Sequence, residues 1–266
     1  MSSRAADPDQ ALVITVPHGH KDPRGDALPE RPRRRSSPWT SFTALKTTMA
    51  VTGTVMALFV LVHMVGNLKV FLGPDSFNGY AAWLRQLGYP LLPHEGVLWI
   101  LRIVLGLSLI AHVTAGLTLW LRARRARGPV GRRAMRRRSV AARSMLLTGC
   151  LMLTFVVVHL LDLTIGRLVS PEGFIAPVHD GGELSISAYG NLVASLSRPP
   201  MAAFYSLVML TLGFHLAQGI WTVVHDLGGT GQRLRLVVLV IALAAALAVV
   251  LGNGTLPLLV LAGVIS

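Results

Sequence analysis

Residues 47–72 read TTMAVTGTVMALFVLVHMVGNLKVFL. The stretch holds one charge, Lys69, close to its end, and one histidine, His63, deep inside. About 20 predominantly apolar residues cross a bilayer core, so this stretch is long and apolar enough to span a membrane. Four more of its kind follow, at 97–121, 144–165, 201–224 and 236–265. The second contains Arg102 and the third Asp162, while the last two contain no charge. Gly252-Asn253-Gly254 and Pro257 interrupt the fifth, where a helix ends or bends. The expected fold is an all-α integral membrane protein with five transmembrane helices over residues 43–266, preceded by a polar tail over 1–42.

Composition agrees. Of 266 residues, 52% are apolar and 14% charged, against about 25% charged in a soluble domain. An ordinary soluble enzyme and a disordered chain are both excluded. The net charge is +13, from 25 basic and 12 acidic residues. The basic residues sit in short segments between apolar runs and no nucleic-acid recognition motif accompanies them, so they read as topology signals rather than a nucleic-acid surface. The single cysteine, Cys150, excludes an intrachain disulfide, a cysteine-ligated iron–sulfur cluster and a thiolate zinc site.

Segment 122–143 carries ten arginines and no acid. The tail carries Arg33-Arg34-Arg35 and lacks the apolar core of a signal peptide. Segments 73–96 and 166–200 carry only Arg85, Arg167 and Arg198 against five acids. Basic short loops stay in the cytoplasm, so the N-terminus and 122–143 are expected inside and the C-terminus outside. The outer loop 166–200 has room for a short surface helix near 185–197.

Polar side chains within a bilayer are functional candidates. His63, His112, His159 and His215 each lie well inside one of the first four spans. At 1.5 Å per residue, His63 and His159 stand about 26 and 24 Å from the inner charged edge, and His112 and His215 about 15 Å. The four therefore sort into an outer pair, His63/His159, and an inner pair, His112/His215. Two histidines at one depth on different helices suit the two axial positions of a haem iron. Zinc asks for three or four protein ligands, and no third donor accompanies either pair. Glycines at 53, 66, 106, 116, 149, 213 and 219 leave room for a flat macrocycle. No flavin, nucleotide or cluster motif is present, so the electron source has to be another subunit and the lipid-phase acceptor a quinone.

These residues carry a resemblance. Thr52-Gly53…Phe59…His63-Met64-Val65-Gly66-Asn67, Arg102…His112…Gly116, Thr148-Gly149…Phe155…His159-Leu160…Asp162 and Gly213-Phe214-His215-Leu216…Gly219…Gly228, with the loop Phe77-Asn78-Gly79-Tyr80, are similar to the cytochrome b anchor of the five-helix, two-haem succinate dehydrogenase and fumarate reductase family. The likeness covers about 40–235, omits the tail, and extends to the fifth span in position only. It implies two haems b in a bundle of the first four helices, the outer held by His63 and His159, the inner by His112 and His215. It implies a flavoprotein with FAD and an iron–sulfur subunit on the cytoplasmic face, menaquinone as electron acceptor, and a bacterial plasma membrane. Succinate itself would be oxidised on a partner subunit, and a higher oligomer is open.

The remaining ionisable groups divide by depth. Lys69, Arg102 and His225 are candidates for haem propionates. A second, outer haem makes sense where electrons must travel outward, so an outer quinone site is expected among Asn67, Lys69, Arg102 and Asp162, with Glu95 at its mouth. An inner site near Trp39, Ser41 and Lys46 is the alternative. Two other functions stay open at this point: a dihaem anchor of another quinone-linked oxidoreductase, and a haem-free transporter using the histidines as a proton relay.

Overall fold

The computed structural model describes residues 41–127, 136–180 and 183–266, and the side chains of 127–143 and 179–183 fall outside that description. Most of the expected tail, Trp39 within it, and part of the arginine-rich segment 122–143 also lie outside the described residues.

Among the described residues, five helices are long and apolar enough to cross a membrane. Helix α1 (Phe42–Asn67) starts where Ser41 accepts a hydrogen bond from Ala44 N, an N-cap that satisfies one of the free amides of the first turn. It tightens into a 3₁₀ turn, Leu68–Leu72, and stops at Gly73. Gly73 has φ 90°, and Pro74 opens the next helix at its first position, where a missing amide hydrogen costs nothing. That helix, α2 (Pro74–Gln86), lies within the segment 73–96, where the sequence predicts a loop.

Helix α3 (Gly96–Arg127) runs back, and α4 (Arg136–His159) returns. Directly after His159 the coil widens into a π-helical turn, Leu160–Ile165. Gly166 ends it with φ 70°, and a Cβ there would fall 2.1 Å from Phe174, so only glycine fits. A small antiparallel hairpin, β1 (Val178–Asp180) and β2 (Glu183–Ser185), leads into α5 (Ala188–Leu196), the short helix expected near 185–197. Helix α6 (Pro199–Asp226) opens on two prolines. Helix α7 (Gln232–Gly254) breaks at the expected Gly-Asn-Gly, and α8 (Leu256–Leu261) follows with Pro257 in its first turn.

Helices α1, α3, α4 and α6 follow one another round a ring, and α7 lies over the seam between α1 and α6. Gly213 permits the close approach of α7. A Cβ at that position would meet Val250 at 2.6 Å and the Ala246 carbonyl at 3.2 Å, the small-residue contact that membrane helices use. Met64, Val208, Met209, Leu216 and Val249 form one buried cluster along these helices. Val70, Leu196, Tyr205, Leu256, Val260 and Ile265 form a second, at the end where α2, α5 and α8 gather. The ring leaves two diagonals, α1 to α4 and α3 to α6, and the histidines lie on them.

Candidate haem-binding sites and the outer polar network

Each diagonal carries one of the expected pairs. The planes of the His63 ring on α1 and the His159 ring on α4 are 79° apart, with centroids separated by 6.0 Å. His112 on α3 and His215 on α6 belong to the other diagonal. Among the described residues no three His, Cys, Asp or Glu side chains converge on a point.

Threonine hydroxyls lie against Nδ1 of His112 and His215. Thr52 Oγ1 gives its hydrogen to the Thr48 carbonyl at 2.6 Å and stands 3.1 Å from His112 Nδ1. With its hydrogen committed, the hydroxyl accepts from Nδ1–H, and Nε2 keeps its lone pair for a metal. Thr148 repeats the arrangement. It donates to the Met145 carbonyl at 3.2 Å and stands 2.9 Å from His215 Nδ1. Gly53 and Gly149 adjoin these rings: a Cβ would sit 3.3 Å from His112 Cε1 and 3.9 Å from His215 Cε1.

The likeness between these two halves is general. Thr52-Gly53…Phe59…His63 and Thr148-Gly149…Phe155…His159 have identical spacing. Each phenylalanine stacks on the histidine one turn ahead of it, at 5.4 Å in both helices. Leu107-Ser108-Leu109…His112…Gly116 and Leu210-Thr211-Leu212…His215…Gly219 match likewise. A long, a short and a long helix occur twice in succession, α1-α2-α3 and α4-α5-α6. The sequence reading quoted these residues but missed the repeat that relates them.

The repeats part company at the end marked by α2 and α5. Three residues after its histidine, the first has Gly66 and the second Asp162. Ten residues before its histidine, the first has Arg102 and the second Tyr205. Asp162 has no exposed surface, and three groups donate to it: Ser195 Oγ at 2.5 Å, Arg198 Nη2 at 2.8 Å and Tyr205 Oη at 3.0 Å. Tyr205 Oη also lies 3.4 Å from His159 Nδ1. None of Ser195, Arg198 and Tyr205 was a candidate from sequence. Aligning the repeats would have singled out Tyr205, because it takes the place of Arg102.

The expected outer quinone residues do not form one cluster. Asp162 belongs to the network just described. Glu95 lies 3.0 Å from Arg85 Nε and 3.4 Å from Arg102 Nη1, and it has φ 61°, an uncommon backbone state for a side chain of its size. The Arg102 guanidinium also covers the Trp99 ring at 4.8 Å. Asn67 donates to Asn253 Oδ1 at 3.2 Å and so ties α1 to the end of α7. Lys69 lies over Tyr80, 5.7 Å from the ring centre.

At the opposite end, Lys46 pairs with Asp226 at 2.6 Å. His225 Nδ1 donates to the Trp221 carbonyl at 2.7 Å, and its buried Nε2 has no partner among the described residues. Of the three propionate candidates, Lys69 and Arg102 belong to the α2 end and His225 to the other. Comparison with protein-family models, curated proteins and solved structures finds no match to this chain.

Proposed function

We propose that this chain is the dihaem cytochrome b membrane anchor of a succinate:quinone oxidoreductase, working in a bacterial plasma membrane between an iron–sulfur partner inside and membrane quinone. One observation carries the reading. Two histidine pairs lie across the diagonals of the ring, His63 and His159 with centroids 6.0 Å apart and His112 and His215 each with Nδ1 beside a threonine hydroxyl, and these four would hold the two groups. When bound, haem b supplies a one-electron redox centre at each depth.

The chain's own residues orient and select. Thr52 and Thr148 keep His112 and His215 in the tautomer that offers Nε2 to a metal. Phe59 and Phe155 hold the rings of His63 and His159 by stacking. Gly53 and Gly149 keep bulk away from the inner rings. Lys69 and Arg102 at the α2 end supply cations for carboxylates. Glu95, paired with Arg85 and Arg102 and a quarter exposed, is the group placed to exchange protons with an outer quinone. The arginines of 122–143 and of the tail favour a cytoplasmic N-terminus and a docking face for the iron–sulfur and flavoprotein subunits.

The test uses native membranes. Succinate should reduce b-type absorbance there, and deleting this chain should remove that absorbance and release succinate dehydrogenase activity into the soluble fraction. Succinate dehydrogenase that stays on the membrane without this chain would refute the proposal.

A further inference from the structure

We propose that Asp162 acts through Tyr205 as a positioning pair for His159, and that it makes the outer haem harder to reduce than His63 and His159 alone would. The inference rests on the dihaem reading above and extends it to residues the ligand pattern does not include.

The geometry runs in one direction. Tyr205 has a single hydroxyl hydrogen, and it points to Asp162 Oδ2 at 3.0 Å. The oxygen's lone pairs are therefore what His159 Nδ1 meets at 3.4 Å, a long contact that leaves Nδ1 as the donor. Phe155 stacks on the same ring at 5.4 Å, so two sides of His159 are held. The carboxylate behind the tyrosine is itself fixed. Ser195 and Arg198 donate to it, and Arg198 is anchored by the carbonyls of Val169 at 2.7 Å and Ser195 at 3.2 Å. The π-helical turn Leu160–Ile165, directly after His159, places Asp162, and such turns recur at functional sites.

The repeat shows that this pair is an addition rather than a general packing solution. At the corresponding positions the first repeat has Gly66, against which the Tyr80 ring packs, and Arg102, so no carboxylate occupies the place of Asp162 there. His112 and His215 have a neutral threonine each. Of the four histidines, His159 is the one backed by the Tyr205–Asp162 chain.

The electrostatic sign follows. A hydroxyl polarised by a carboxylate draws on Nδ1–H and makes Nε2 a stronger electron donor to a bound iron. Stronger donation favours the ferric over the ferrous ion. Arg198 balances the charge at long range, but it binds the far side of the carboxylate and leaves the Tyr205 hydroxyl polarised.

A structural staple between α4, α5 and α6 is the competing role, and two variants separate them. Tyr205→Phe leaves Ser195 and Arg198 on Asp162 and removes only the link to His159. Asp162→Asn removes the charge. In the purified complex, the outer transition is identified as the one lost in His63→Ala. At a fixed potential its ferric:ferrous ratio should fall about threefold in Tyr205→Phe and about tenfold, 59 mV for one electron, in Asp162→Asn. The inner transition should stay in place. If both haems are bound in Tyr205→Phe and the outer ratio is unchanged, the positioning role is overturned and the dihaem reading survives. A wild-type complex without haem overturns both. Should Asp162→Asn fail to assemble, Tyr205→Phe alone decides.

Discussion

The rings of His63 and His159 stand nearly perpendicular with their centroids 6.0 Å apart, across a diagonal of a ring in which α1 and α4 are not neighbours. His112 and His215 occupy the other diagonal. Pairing by diagonal, rather than between helices adjacent in sequence, has a direct consequence for substitutions. His63→Ala and His159→Ala should abolish the same redox transition, and His112→Ala and His215→Ala the other. Potentiometric titration of each variant checks this. Loss of one transition by both His63→Ala and His112→Ala would contradict the arrangement.

Thr52 and Thr148 sit on the helices that carry the outer histidines, yet they bond the inner ones. Thr52→Val and Thr148→Val keep the side-chain shape and remove the acceptor for Nδ1–H. Each should weaken retention of the inner haem about 10- to 100-fold, the usual cost of losing such a partner, and leave the outer haem in place. Haem loss to an apo-haemoprotein acceptor, followed at the two absorbance bands, measures the difference.

Two ion pairs of similar length should differ widely in stability. Lys46–Asp226 is 2.6 Å long with both side chains about a third exposed, so Lys46→Met should cost about 0–1 kcal/mol. Arg198–Asp162 is 2.8 Å long with the carboxylate wholly buried. Arg198→Leu leaves that charge with two neutral donors and should cost about 3–5 kcal/mol. Thermal unfolding of the detergent-solubilised protein separates the two.

Glu95 and Asp162 were equal candidates for proton transfer at an outer quinone, and their surroundings set them apart. Glu95 keeps open surface beside Arg85 and Arg102, whereas Asp162 has none. Glu95→Gln should therefore lower succinate–quinone turnover about 100-fold or more, the range that loss of a positioned proton-transfer group produces, with both haem spectra intact. Unchanged turnover would move proton delivery elsewhere.

The spans were legible because a bilayer leaves only length and apolarity to satisfy, and the histidine pairs because helical rise converts residue number into depth. The break after Gly252 and the short helix α5 were legible for similar reasons. Helix α2 was not, since its apolar content is low, although Gly73-Pro74 is a stop followed by a start. The network around Asp162 was half legible. A charge within a span marks Asp162, but Ser195, Arg198 and Tyr205 come from elements with no fixed spacing to it. The internal repeat, in which Tyr205 stands opposite Arg102, marks Tyr205 and leaves Ser195 and Arg198 without a signal. The expected outer cluster failed as a single group because Asn67, Lys69, Glu95 and Asp162 lie on different elements, and each has its own local partner.

The central claim is that four histidines hold two haems. The measurement that tests it most directly is pyridine haemochrome analysis of the complex purified from membranes, normalised to this chain by quantitative amino-acid analysis. The account predicts two haems b per chain in the wild type and one in each single-histidine variant. A wild-type value of one, or none, in a preparation grown with excess haem precursor would contradict it.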